Sequence, residues 1–168
     1  MKLGIFRHWY VRAPFEVGLV LAIWFLVVQF RPTSGTSMLP TLKEGSYVFV
    51  DNISYRLGDP ARGDVVVIQS NEEPRTLLCK RIIGLPGEMI EIHEGQVLIN
   101  GVPLDEPYII GNKFWERMPG KIGPGHYYVI GDNRGMAIES AWQGLVARRN
   151  VIGRVIGKGH RYDRGNDE

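Results

Sequence analysis

Apolar positions are arranged along this chain in two ways. One unbroken block lies near the N-terminus, and short runs separated by glycine, proline and polar residues follow it. The block runs from Pro14 to Phe30 and is uninterrupted from Val17 to Val28. A bilayer-spanning helix needs about 20 such residues, so the block sits near the lower limit. Trp9, Tyr10, Trp24 and Phe30 suit the membrane interfaces. Lys2, Arg7 and Arg12 precede the apolar core, offset locally only by Glu16. By the positive-inside rule the N-terminus is cytoplasmic and the chain from about Arg31 lies outside. A cleaved secretory signal is a competing reading, but Arg31-Pro32-Thr33 makes a poor processing site after Phe30. A buried helix of a soluble domain is a third, and Trp24 and Phe25 do not decide against it. The expectation is a single uncleaved transmembrane anchor over residues 14–30, with residues 1–13 cytoplasmic.

From Ser46 onward the pattern is that of β-structure. Tyr47-Val48-Phe49-Val50 is a short apolar run, and Asp64 to Gln69 is β-branched between Arg62-Gly63 and Ser70-Asn71. Leu77 to Ile83 predicts another strand. Met89 to Ile92 and Gln96 to Ile99 flank His93-Glu94-Gly95 as a hairpin, and Asn100-Gly101 marks the next turn. His126 to Ile130 and Val151 to Ile156 close the series. No long amphipathic helix is expected after Phe30. Pro107 to Gly125 reads as an irregular excursion, with Phe114, Trp115 and Met118 either core or interfacial. The fold class that follows is all-β: a mostly antiparallel β-barrel or sandwich behind a single N-terminal transmembrane helix. Residues 158–168 read as a polar tail.

A length of 168 residues suits one modest domain plus an appendage. The net charge of +2, without a basic block, argues against nucleic acid as a partner. Cys79 is the single cysteine, so no intramolecular disulfide forms. Strand alternation puts it on the face opposite Lys80, as a buried structural cysteine. His8, His93, His126 and His160 lack ligand spacing, so no metal or other cofactor is expected. Their scatter also weakens a Ser-His-Asp reading, though His93 and His126 stay open.

Two segments carry candidate chemistry. Ser37 lies in Ser34-Gly35-Thr36-Ser37-Met38-Leu39-Pro40-Thr41-Leu42, a glycine- and proline-bounded loop. Lys80 lies between Leu77-Leu78 and Ile82-Ile83. A serine hydroxyl is a weak nucleophile until a base takes its proton, and a desolvated lysine is such a base. Gly35 allows close approach of a substrate backbone, and Met38 suits a small apolar pocket. The plain readings are a turn serine and an edge lysine with its head in water. Gly131-Asp132-Asn133-Arg134 is, by itself, a turn with a hydrogen-bonding aspartate.

Taken in order, these segments resemble the type I signal peptidase family. Ser37 to Leu42 is similar to its nucleophile box, and Gly63-Asp64-Val65-Val66 to the strand box that follows. Lys80 to Glu88 is similar to the general-base box, with Glu88 where aspartate is commoner. Tyr128 to Arg134 is similar to the start of the last box. The resemblance spans roughly Gly35 to Gly157 plus the anchor. It implies an extracytoplasmic catalytic domain over residues 31–157, with Ser37 as nucleophile, Lys80 as general base and the Ser37 backbone N–H as an oxyanion donor. Gly35 stands where some members carry a second, hydroxyl donor. Gly35 and Met38 would bind substrate, and Asp132, Asn133, Arg134 and Ser140 would support the site. The last box departs from the family's pattern at Ala137, Glu139 and Ala141, where serine, aspartate and arginine are usual.

The implied activity is removal of signal peptides from exported preproteins after small-x-small sites, at the outer face of a bacterial cytoplasmic membrane. Preproteins, the lipid bilayer and, transiently, the secretion machinery are the implied partners. Two alternatives follow from the altered last box: a maturation peptidase for one dedicated precursor, and a catalytically impaired membrane protein that binds signal peptides.

Overall fold

The computed structural model describes residues 13–18, 28–70, 76–111, 115–136 and 142–159. β-Branched and aromatic runs form the strands, and every strand pairing is antiparallel. A seven-stranded sheet contains β1 (Val28–Pro32), β2 (Tyr47–Asp51), β3 (Val65–Gln69), β4 (Leu77–Gly84), β9 (His126–Ile130), β10 (Trp142–Ala147) and β11 (Val151–Gly159). Their spatial order is β1-β2-β11-β3-β4-β9-β10. A four-stranded sheet contains β5 (Met89–His93), β6 (Gln96–Ile99), β7 (Val102–Pro103) and β8 (Arg117–Lys121), in the order β7-β6-β5-β8.

The core shares residues of both sheets. Ile83, Tyr128 and Ile130 from the larger sheet pack with Ile90, Ile92, Val97 and Ile99 from the smaller, closed by Trp115 and Ile122. The arrangement is two open sheets rather than a closed barrel, which corrects the barrel half of the expectation. Both sheets end in edge strands, β1 and β10 in one and β7 and β8 in the other.

The differences from the sequence reading have physical causes. Val28–Phe30, read as the end of the anchor, belongs to β1 and pairs with β2 in the register Phe30↔Phe49. The Phe30 ring stacks on Tyr47 with centroids 4.4 Å apart, while over half of Phe30 stays exposed. Residues 13–18 are helical, and 19–27 lie outside the described residues. No helix among the described residues is long and apolar enough to cross a membrane. The expected irregular excursion contains β8, despite Pro119-Gly120. Proline is tolerated there because β8 is an edge strand whose pairing with β5 shifts register. Trp115 is core and Met118 is exposed, while Phe114 lies outside the described residues. β10 escapes the pattern because Gly144, at φ 70°, interrupts it at a bulge. β11 runs on to Gly159, past the expected start of the tail, and residues 160–168 are outside the described set.

Gly153 marks a close contact between β11 and β2. A Cβ there would lie 2.5 Å from the Asp51 carbonyl oxygen and 2.8 Å from Val50 Cγ1. The obstacle includes backbone of β2, which cannot rotate away. Gly153→Ala is therefore expected to lower stability by about 1–3 kcal/mol in urea unfolding. A Gly157→Ala control, whose Cβ would meet only the Phe49 side chain from 3.4 Å outward, should lose less.

Candidate active site

Strand β4 carries Lys80 into the interior. Lys80 stands opposite Val66 of β3, in a sheet whose residues Val66, Ile82 and Val129 are fully buried. Only 2% of the residue is exposed. Burial removes water from the ammonium and pulls its pKa down from 10.5 to about 8, slightly opposed by the neighbouring Cys79 thiol. Burial pushes the Cys79 thiol up to about 11, against the pull of the Lys80 charge. Cys79 is therefore a thiol rather than a thiolate at neutral pH.

The Ser37 loop follows β1. Gly35 takes the left-handed conformation at φ 86°, which turns the chain out of the strand. The Leu39 N–H donates to the Thr36 carbonyl at 3.2 Å and the Leu42 N–H to the Met38 carbonyl at 2.8 Å. Met38 and Leu42 anchor the loop below, packed on Val48, Val50 and Val67. Ser37 is left half-buried above them. It opens on a cleft walled by Arg31 to Gly35 on one side and Thr76 to Cys79 on the other. Gly35 and Met38 line this cleft.

The expectation of a buried structural Cys79 is corrected here. Cys79 is half-buried, packs against the Met38 cluster and lines the cleft with Ser37.

The segment after β9 locks the loop in place. The Asn133 N–H donates to the Ser37 carbonyl at 3.0 Å, and Asn133 Nδ2 donates to the Thr36 carbonyl at 3.1 Å. Asp132 is fully buried and receives a two-pronged ion pair from Arg81, with Nε to Oδ1 at 2.8 Å and Nη2 to Oδ2 at 2.6 Å. The Thr41 hydroxyl donates to the same Asp132 carboxylate. Arg81 also reaches the Gly63 carbonyl at 2.8 Å. Loop and strand β4 thus meet at one carboxylate, one residue along from Lys80. Arg134 turns elsewhere, to an ion pair with Glu106. Ser140, with Ala137, Glu139 and Ala141, lies outside the described residues.

Sequence reasoning did not find the parts played by Thr41, Arg81, Glu106 and Tyr108. One signal was present for Arg81. An arginine in an otherwise apolar strand requires a buried carboxylate, and Asp132 already stood out in its turn. No group of His, Cys, Asp or Glu among the described residues forms a metal site.

Residues 6–158 match the family model described as "Signal peptidase, peptidase S26". A protein of Leptolyngbya laminosa named signal peptidase I is 39% identical over 84% of this chain and 73% of its own length. A probable signal peptidase I-2 of Synechocystis is 37% identical, over 82% of this chain and 66% of its own. A solved signal peptidase I from Enterococcus faecalis aligns at 29% identity over 58% of this chain and 97% of its own, with a TM-score of 0.49.

Two stability effects follow from these charges. Asp132→Ala leaves the Arg81 guanidinium buried without its carboxylate, and a loss of about 3–5 kcal/mol is expected by chemical denaturation. Lys80→Met should do the reverse. Folding holds the lysine below its ordinary pKa, which costs about 3 kcal/mol at neutral pH. That cost is complete below about pH 8 and fades as the unfolded chain also loses its proton, toward 10.5. The methionine variant should therefore melt above the wild type at pH 7, with the gap closing between about pH 8 and 10.5.

Proposed function

Because the chain belongs to the signal peptidase family, peptidase S26, and is a hydrolase of the serine endopeptidase type, we propose that Ser37 and Lys80 form the catalytic pair with which it removes signal peptides. The observation that carries this reading is the buried, charge-weakened Lys80 on a strand tied through Arg81, Asp132 and Thr41 to the loop of Ser37. A base with a pKa near the working pH keeps an appreciable neutral fraction while still holding a proton firmly enough to pass it on.

In the proposed reaction, neutral Lys80 takes the Ser37 hydroxyl proton as Oγ attacks the scissile carbonyl. The developing oxyanion is met by the Ser37 backbone N–H. The tetrahedral intermediate collapses, Lys80 protonates the leaving amine, and the mature protein departs. Lys80 then takes a proton from water, whose oxygen attacks the acyl-enzyme and frees the signal peptide. No cofactor enters any step.

The cleft supports an extended substrate. Its two walls, Arg31 to Gly35 and Thr76 to Cys79, run beside strands β1 and β4, and a peptide lying between them would use backbone hydrogen bonds. Gly35, with no side chain, and Met38, at the floor, leave room for small residues at the cut, in keeping with Ala-x-Ala sites. The apolar block as far as residue 27 serves in this reading as the membrane anchor, with the β-domain on the outer face of the cytoplasmic membrane and preproteins delivered there by the secretion machinery.

A second reading, a peptidase dedicated to one precursor, is favoured by Ala137, Glu139 and Ala141 in the last box. Efficient cleavage of a panel of unrelated preproteins would remove it. The inert-binder alternative is opposed by the presence of both Ser37 and Lys80.

In detergent, the full chain should cut a preprotein after its Ala-x-Ala site, and Ser37→Ala and Lys80→Ala should each be inactive. Cleavage by either variant at near wild-type rates would sink the catalytic pair. The pH profile gives an independent check. Since the neutral amine is the active form, kcat/KM should rise about tenfold per unit on the acid side and level off above about pH 8. A flat profile from pH 6 to 9 would rule out Lys80 as the base.

A further inference from the structure

The ion pairs around the site are gripped from outside by a short turn between β7 and β8. The turn closes with the Ile109 N–H donating to the Glu106 carbonyl at 3.3 Å. Three of its residues each hold a different part of the site's support. Glu106 takes Arg134 Nη2 at 2.5 Å and Nη1 at 3.3 Å, with the two side chains 5% and 3% exposed. Tyr108 lays its ring 3.9 Å from the Arg81 guanidinium carbon and donates its hydroxyl to Glu106 at 3.1 Å. Ile110 gives its N–H to the Asp132 carbonyl at 3.0 Å and receives the Arg134 N–H at 2.7 Å, bridging Asn133. Gly111 completes the approach: at φ 75°, a Cβ on it would stand 2.3 Å from the Gly135 nitrogen.

These contacts converge on the residues that hold the Ser37 loop. Arg81 is clamped between the Tyr108 ring and Asp132. Asp132 and Asn133, fixed in backbone by Ile110, bind Thr41 and the Ser37 carbonyl. A buried Arg134 whose charge is met by Glu106 keeps that segment from relaxing into water. The turn has the chemistry of a clamp with one aromatic jaw and one anionic jaw, yet it lies outside all four segments that carry the family resemblance.

We propose that the Glu106–Gly111 turn is a strap that holds the nucleophile loop against strand β4, with Glu106 and Tyr108 as positioning residues for peptide cleavage. The proposal rests on the Ser37–Lys80 reading. The strap touches Asp132, Asn133, Arg134 and Arg81 and reaches the reacting atoms only through them. Its loss therefore acts on the geometry of attack, not on substrate capture.

The test is steady-state cleavage of a preprotein by the full chain in detergent, with Tyr108→Leu, Tyr108→Phe and Glu106→Gln. Tyr108→Leu and Glu106→Gln should lower kcat about tenfold or more while KM stays within about twofold. Tyr108→Phe keeps the ring over Arg81 and should retain most of the rate. Combined with Thr41→Val, Tyr108→Leu should lose little more than the worse single variant, because both act on one loop. Should Glu106→Gln fail to fold, the half-buried Tyr108 decides alone. Wild-type kcat for Tyr108→Leu beside an inert Ser37→Ala overturns the strap and leaves the catalytic pair standing. So do losses that multiply with Thr41→Val and track the unfolded fraction. Cleavage by Ser37→Ala itself overturns the premise and the strap with it.

Discussion

The buried ion pair between Arg81 and Asp132 is the constraint on which the site depends. Strand β4 and the turn after β9 are adjacent in the sheet, but adjacency alone would leave the Ser37 loop free to lift away. The carboxylate of Asp132 prevents this by accepting two bonds from the strand and one from Thr41 of the loop. Each partner in such a pair is intolerable alone in the interior, so strand and turn are held in register with each other. Specificity of arrangement, rather than net stability, is the gain from a pair of this kind.

Lys80 illustrates the opposite balance. Its neighbours in the sheet are apolar, and its position weakens the fold at neutral pH. A methionine of similar length would sit there more comfortably. The same desolvation brings the amine into the range where it exchanges protons with a hydroxyl. Stability and reactivity are opposed at this one position, and the surrounding sheet, with Val66, Ile82 and Val129 fully buried, is what absorbs the difference.

Much of this was legible in the chain itself. β2, β3, β4, β5, β6 and β9 come from β-branched and aromatic runs with clear turn punctuation, because buried strands concentrate such residues. β1, β7, β8 and β10 were missed, and all four are edge strands. Edges face solvent on one side and accept proline and glycine, so Pro32, Pro103, Pro119 and Gly144 disguise them. For the site, Ser37 and Lys80 announce themselves through unusual local sequence, and Asp132 and Asn133 through their turn. Glu106 and Tyr108 carry no such signal. Their partners, Arg134 and Arg81, lie 28 and 27 positions away, and only the folded sheet brings them together.

Strand β1 has a mechanical consequence. Its five residues pair with β2 along their whole length and end five positions before Ser37. Tension arriving along the chain from the N-terminal side would pull this ladder lengthwise, in shear, so that its hydrogen bonds share the load at once instead of opening one by one. Lateral drag on the preceding apolar segment is then borne by the sheet and does not reach Ser37. The ladder works as a strain relief, as the clamp on a cable keeps a pull on the cord from reaching the solder joint.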